Sequence, residues 1–106
     1  SLKVPEISIV VVNLYPFQKY AKGYKSDQVI EMIDIGGPSL LRAASKNFEF
    51  ITPIVSTEDY SRLIKNINKN NGETDIIFRK KMAYKVFKEV SNYDKNISKW
   101  LNEITK

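Results

Sequence analysis

The sequence contains neither cysteine nor histidine. Without cysteine, disulfide bonds and thiolate metal sites are excluded, and a zinc or iron site would lack both of its usual side-chain ligands. The absence of histidine limits acid–base chemistry to lysine, aspartate, glutamate and tyrosine side chains, and it excludes a Ser-His-Asp catalytic set. We therefore expect no metal site, and any catalysis has to use these four residue types.

Long apolar runs are also missing. The densest one, residues 7–12, is far shorter than the roughly 20 residues of a membrane-spanning helix. Acidic residues accompany it, which is not typical of a signal peptide. No P-loop and no GxGxxG motif is present. We therefore expect a cytoplasmic protein without a membrane partner.

What the chain does contain is ordinary for a globular protein. Its 106 residues are 42% hydrophobic and 27% charged, which fits one domain at most. The formal net charge is +5, but the lysines are scattered among acids, and the densest run, residues 79–81, lies in a predicted helix. A solvated face explains this pattern better than a nucleic-acid patch, although an anionic small substrate also fits. We expect no nucleic-acid partner.

Hydrophobic periodicity predicts a β-α-α-β-α order followed by two more helices. The strands are Ile7–Asn13, an apolar run typical of strands buried on both faces, and Phe48–Val55, where Pro53 indicates an edge position or a bulge. The predicted helices cover residues 26–33, 38–46, 57–67, 73–90 and 93–104, and residues 18–25 are predicted to form a polar loop. Two parallel strands cannot cover all these helix faces, so we expect part of a larger sheet.

The predicted core combines one face of the helix at 38–46 with apolar stripes on the two C-terminal helices. The first set is Leu40, Leu41 and Ala44, and the second is Phe78, Met82, Val86, Tyr93, Ile97, Trp100, Leu101 and Ile104. We interpret the aromatic and methionine stripes as core rather than as a ligand site.

Polar residues follow the first predicted strand and precede the helix at 38–46. Asn13 and Tyr15 come directly after the strand, and ligands of open parallel sheets bind at the carboxyl ends of strands. Gly36 and Gly37 precede a helix start, where free amides attract a hydrogen-bond acceptor or an anion. The positions of Asn13 and Tyr15 fit a ligand site and an ordinary strand end equally, whereas two glycines are common in turns and alone are only a weak sign of ligand contact.

Two charged residues flank the same helix. Asp34 lies between two isoleucines; it either caps the loose amides or is a partly buried acid that works as a base. Lys46 ends the helix, where it either complements the helix dipole or serves a site. The residues alone therefore predict an α/β domain with a candidate Tyr/Asp/Lys polar site.

Specific motifs carry a family resemblance. The segments "VVVNLYPF", "IDIGGPSLLRAASKNF", the "DY" of "STEDYSRLI" and "RKKMAYKVFKEVSNYDKNISKWL" resemble the inosine monophosphate (IMP) cyclohydrolase domain of the bifunctional purine-biosynthesis PurH family. The resemblance spans nearly the whole chain. It implies the C-terminal part of that domain: a methylglyoxal-synthase-like α/β fold, with a parallel sheet and helices on both faces, here only partly covered. The sheet part is expected at about 1–70 and a helical extension at about 73–106.

The resemblance also implies an activity, the last step of de novo purine biosynthesis. The formylated aminoimidazole carboxamide ribonucleotide (FAICAR) closes to IMP with loss of water, without a cofactor. The family's separate AICAR formyltransferase domain, absent here, uses 10-formyltetrahydrofolate. The residues that match catalytic positions of the family are Tyr15, Asp34 and Lys46. Those that match nucleotide contacts are Asn13, Asp34, Ile35, Gly36 and Gly37.

Three expectations complete this interpretation. The family's early strands carry its phosphate-binding residues and a further catalytic lysine, so we expect this chain alone to be inactive. Pro53 departs from the family's smooth apolar strand. A helix from Pro38 to Lys46 is roughly 12 Å long, so we expect Lys46 to serve the site of a two-fold mate in a homodimer. Alternatives are a non-catalytic domain of the same fold that senses a phosphorylated metabolite, and, more weakly, a basic nucleic-acid binder.

Overall fold

The structure, a computed structural model, describes residues 8–106. Ile7, the first residue of the first predicted strand, lies outside this range. The elements in chain order are β1 (Ile9–Val11), α1 (Phe17–Gly23), α2 (Ser26–Glu31), α3 (Gly36–Lys46), β2 (Thr52–Ile54), a 3-10 turn (Thr57–Asp59), α4 (Tyr60–Lys69) and α5 (Ile76–Ile104).

The two strands pair in parallel, with Val10 opposite Pro53, as the alternation of strands and helices predicts. The parallel α/β class with a helical C-terminal part is thereby confirmed. Burial of the first strand on both faces is wrong for this chain, because Ile9 is 38% and Val11 44% exposed. The helices α3 and α5 pack against each other and against β2, whose three residues are all buried, and β1 receives less cover.

The second strand is shorter than predicted. Residues 47–50 form a turn, and only Thr52–Ile54 is extended and paired. The turn closes with the amide of Ile51 donating to the carbonyl of Asn47 at 2.9 Å. Among the described strands β2 has one neighbour, so Pro53 occupies an edge strand, where its missing N–H is tolerated.

Helix α1 replaces the polar loop predicted at residues 18–25. Phe17 and Ala21, four residues apart, place one apolar face against the core, and Phe17 is only 1% exposed. Pro16 stands at the N-cap, where the lack of an amide proton does no harm. The segment is rich in lysine, so its composition predicted a loop although its few apolar residues lie on one face of a short helix.

The two predicted C-terminal helices are one continuous helix, α5. The stretch between them, residues 90–93, contains no glycine or proline and therefore nothing that ends a helix. The buried stripe of Phe78, Met82 and Val86 is confirmed, and so is burial of Tyr93 and Trp100. The prediction that Leu101 and Ile104 are core is wrong, because they are 40% and 44% exposed. No helix within residues 8–106 is long and apolar enough to cross a membrane.

The core consists of three apolar clusters that α5 connects. The first contains Phe17, Val29, Tyr93 and Trp100, the second Leu41, Val55, Val86 and Val90, and the third Ile54, Phe78 and Met82. Leu40 was predicted to be core, but it is 50% exposed. Leu41 and Ala44 lie on the face of α3 that packs against α5. Leu40 precedes Leu41 by one residue and therefore points away from α5.

Two polar arrangements fix the ends of α4 and α5. Asp59, fully buried, accepts one hydrogen bond from Arg62 at 2.9 Å and lies 2.7 Å from the Lys85 ammonium. Burial disfavours the charged form of Lys85, but its hydrogen bonds to Asp59 and Glu58 outweigh this and raise its pKa. At the start of α5, Asp75 accepts from the amide of residue 78 at 2.7 Å, and this bond leads the interactions that lower the pKa of its carboxyl group.

Candidate active site

The turn before α3 is built around the Asp34 carboxylate. Its Oδ1 accepts a hydrogen bond of 2.8 Å from the amide of Gly37, one of the free amides of the first helical turn. The capping role expected for Asp34 is therefore present. The side chain is exposed, so the expected partial burial is wrong: Ile35 is itself 73% exposed and does not cover it.

The second oxygen of Asp34 remains available. Among residues 8–106 no side chain or amide donates a hydrogen bond to Oδ2. A Cβ added to Gly37 would lie 2.4 Å from this oxygen, whereas a Cβ on Gly36 would meet no atom within 4 Å. Glycine at position 37 thus lets the carboxylate approach the helix closely, with one oxygen held and the other able to accept a proton.

The segment after β1 carries the other predicted residues. Asn13 is exposed, and the ring of Tyr15 is 65% exposed. The ring of Tyr15 lies 5.5 Å from that of Tyr20, which in turn lies 6.2 Å from Tyr24. Burial, followed by the neighbouring hydroxyls of Tyr15 and Tyr24, raises the pKa of Tyr20. Tyr15 is thus a largely exposed residue shortly after the carboxyl end of β1, where ligands of parallel sheets bind.

One hydrophobic cluster brings the two segments together. Leu14 and Ile33, the neighbours of Tyr15 and Asp34, both pack against the cluster of Phe17, Val29, Tyr93 and Trp100. The structure thus anchors the Tyr15 segment and the Asp34 turn on the same core. Sequence reasoning placed Tyr93 only in an apolar stripe, but its hydroxyl accepts a 2.8 Å hydrogen bond from the amide of Asp34. The signal was available, since a buried tyrosine hydroxyl usually has a partner.

Lys46 lies apart from these residues. It is the last residue of α3, which has 11 residues and is therefore about 16 Å long. Its side chain is exposed. Asp34 precedes the start of α3 and Lys46 ends it, so the length of the helix separates the two residues. Delivery of Lys46 to a partner subunit stays a prediction.

No metal site is formed by the described part of the chain: within residues 8–106, no three acidic side chains are grouped so as to hold a metal ion. The turn before α3 offers a ligand the Oδ2 of Asp34 and the remaining amides of the helix start, and the segment after β1 offers the exposed Tyr15 side chain. This set suits proton transfer and hydrogen bonding to a polar organic substrate.

A family model described as "AICARFT/IMPCHase bienzyme" matches residues 44–106. The chain belongs to this family. Among its relatives is the bifunctional purine biosynthesis protein PurH of Persephonella marina, which is 48% identical over 94% of this chain. The PurH protein of a Ruegeria species is 41% identical over 92% of the chain. In both alignments the chain spans only 19% of the relative's length.

A solved structure has a similar fold. The crystal structure of ForH superimposes on 92% of this chain with a TM-score of 0.75 and 29% sequence identity, and the chain covers 52% of that structure. The structural likeness supports the fold, and the sequence comparisons show the family. None of these comparisons assigns a role to Tyr15, Asp34 or Lys46.

Proposed function

We propose that this chain carries part of an IMP cyclohydrolase active site, in which FAICAR closes to IMP with loss of water. The observation that carries the proposal is the Asp34 carboxylate, fixed through Oδ1 by the amide of Gly37 at 2.8 Å, with Oδ2 available. Membership of the AICARFT/IMPCHase family supports the substrate class, a purine nucleotide intermediate.

The residue types match the bonds that change. The carboxamide nitrogen of FAICAR loses a proton as it attacks the formyl carbon, and Oδ2 of Asp34 accepts that proton. The formyl oxygen gains negative charge and is protonated to a hydroxyl. A second proton lets it leave as water, while the formamide nitrogen loses its proton and forms the C=N double bond of the new ring. The Tyr15 hydroxyl and the Lys46 ammonium are the groups proposed to stabilise and protonate the formyl oxygen.

Binding falls to the residues around the turn. The proposed contacts to the nucleotide are the side chain of Asn13 and the backbone of Ile35, Gly36 and Gly37. The Gly37 amide already donates to Asp34, so the amides of Ile35 and Gly36 are the ones left for hydrogen-bond acceptors on the substrate. The reaction is intramolecular, so holding FAICAR in a reactive conformation supplies much of the rate enhancement. We infer that the step uses no metal and no cofactor, and that 10-formyltetrahydrofolate belongs to the transformylase reaction.

The site as described is open. Tyr15 and Ile35 are 65% and 73% exposed, whereas ligand pockets cover most of a ligand's surface. We propose that other parts of the gene product and a partner subunit close it, and that Lys46 acts in the partner's site. Mixed dimers of Asp34→Ala and Lys46→Ala subunits test this arrangement. Recovery of activity in hybrid dimers is expected, and its absence would contradict a shared site.

The role of Asp34 is tested by Asp34→Asn in the full-length gene product. The amide oxygen of asparagine can still accept from Gly37, but it cannot serve as the base. We expect kcat for IMP formation, followed by absorbance, to fall by about 10²–10⁴-fold. Asp27→Asn is the matched control, because Asp27 is an exposed acid in the first turn of α2.

The outcomes separate the proposal from its alternative. Normal turnover in Asp34→Asn would overturn the assignment of the base. If the unaltered full-length protein binds a purine nucleotide but never forms IMP, the non-catalytic, metabolite-sensing domain is the better interpretation. Loss of turnover in Lys46→Ala with nucleotide binding retained supports a catalytic Lys46.

A further inference from the structure

The hydroxyl of Tyr93 makes the one long-range hydrogen bond to the Asp34 turn among residues 8–106. It accepts from the Asp34 amide at 2.8 Å, across a sequence separation of 59 residues. The residue is 7% exposed, and its ring packs edge-on against Phe17, with ring centroids 6.2 Å apart. A phenylalanine would fill the same place in the core, so packing alone does not require the hydroxyl.

Asp34 is therefore held from two sides. Its backbone amide is bound to α5 through Tyr93, and its Oδ1 is bound to the first turn of α3 through Gly37. The two helices are themselves locked together, because Leu41 of α3 packs with Val86 of α5 in one cluster. Neither bond involves Oδ2, so both restrict the carboxylate without occupying the oxygen that would take up a proton.

Tyr93 also reaches the second candidate segment. Phe17, which its ring contacts, lies two residues after Tyr15, and Leu14 packs against the same cluster. One side chain thus contacts the core residue behind Tyr15 and the backbone of Asp34. A shift of Tyr93 would move both segments relative to each other.

We propose that Tyr93 is a positioning residue that sets the placement of Asp34 relative to Tyr15, through its hydroxyl on the Asp34 amide and its ring on Phe17. The proposal rests on the proposed function of Asp34 as the base. It assigns to the long C-terminal helix a part in the chemistry beyond covering the core.

Tyr93→Phe in the full-length gene product tests this, since it removes the hydroxyl and keeps the ring. The amide of Asp34 belongs to an exposed residue, so water can replace the lost partner and the fold should persist. We expect kcat for IMP formation to fall by about ten- to a hundredfold with KM changed by less than about threefold, because a misplaced group costs rate more than binding. Tyr84→Phe is the matched control: Tyr84 lies on the same helix and is 69% exposed.

A double-mutant cycle distinguishes positioning from general structure. If Tyr93 acts through Asp34, adding Tyr93→Phe to Asp34→Ala lowers the residual kcat no further. Additive losses of kcat, or a normal kcat in Tyr93→Phe, would overturn the positioning role of Tyr93. The proposed function of Asp34 would still stand if Asp34→Ala is slow. Normal kcat in Asp34→Ala would overturn both.

Discussion

Replacing Gly37 by alanine should displace the Asp34 carboxylate while leaving the fold intact. The new Cβ would stand 2.4 Å from Oδ2 and 3.0 Å from Cγ of Asp34, and ordinary contact begins at 3.4 Å. The carboxylate oxygen therefore has to move by about 1 Å. The atoms in the way belong to an exposed, rotatable side chain, so the turn need not unfold to relieve the clash.

The expected effects on stability and on rate differ in size. Loss of the Gly37–Asp34 hydrogen bond costs about 0.5–1.5 kcal/mol, and alanine in a helix is more favourable than glycine by roughly 0.5–1 kcal/mol. The free energy of unfolding should thus change by less than about 1 kcal/mol. A displacement of about 1 Å at a reacting group can cost about a hundredfold in rate.

The assay is steady-state IMP formation by the full-length gene product, with denaturant unfolding in parallel. Gly36→Ala is the control, because its Cβ meets nothing within 4 Å and leaves Asp34 in place. As a proposed nucleotide contact, Gly36 should affect KM when it is altered, whereas Gly37→Ala should lower kcat. If Gly37→Ala keeps a normal kcat, the placement of Asp34 does not govern the reaction and the reasoning fails.

Three further predictions concern stability, measured by denaturant unfolding. Leu41 is fully buried and Leu40 half exposed, so Leu41→Ala should cost about 2–5 kcal/mol and Leu40→Ala less than about 1 kcal/mol; equal costs would contradict the described core. Lys85→Met should cost about 3–5 kcal/mol because it leaves a buried carboxylate without this partner, whereas Arg62→Met, at a side chain 66% exposed, should cost less than about 1 kcal/mol; similar costs would refute that difference. The pKa of Asp75 lies below its ordinary 3.8, so its contribution is complete above pH 3.8 and is lost as the pH falls through the lower folded value. In Asp75→Asn the free energy of unfolding should therefore decrease less steeply as the pH falls below 3.8. An unchanged pH dependence in this range would contradict the contribution of Asp75.

Periodicity predicted the elements whose burial is one-sided and whose ends carry clear signals. Glycine and proline before α3 marked its start to within two residues, although the helix begins at Gly36 and Pro38 falls in its first turn, where its missing N–H is tolerated. The Ser56 side chain caps the next turn, accepting from the amide of Glu58 at 3.3 Å. Both signals are local, so sequence alone suffices to detect them.

The failures share a cause that lies in tertiary packing. Residues 18–25 look polar because lysines surround a narrow apolar face. The helix α1 is stabilised by packing of Phe17 in a hydrophobic cluster with distant residues, which the local sequence does not reveal. Leu40 and Leu41 are adjacent and identical in type, so the local sequence does not show which one is buried. The position of α5 against α3 decides that Leu41 is the buried one. Tyr93 fits an apolar stripe, and its hydroxyl partner lies 59 residues away, beyond any local pattern.

Asp34 shows why a capping pattern cannot decide function. The sequence left two roles open, a helix cap or a base, but the two oxygens make them compatible: Oδ1 is bonded to the Gly37 amide and Oδ2 is available. The adjacent glycines, equivalent in the sequence, then separate. A Cβ at position 37 would displace the Asp34 carboxylate, whereas a Cβ at position 36 would meet no atom within 4 Å. Nothing within residues 8–106 requires glycine at position 36, so Gly36→Ala probes the proposed nucleotide contact rather than the fold.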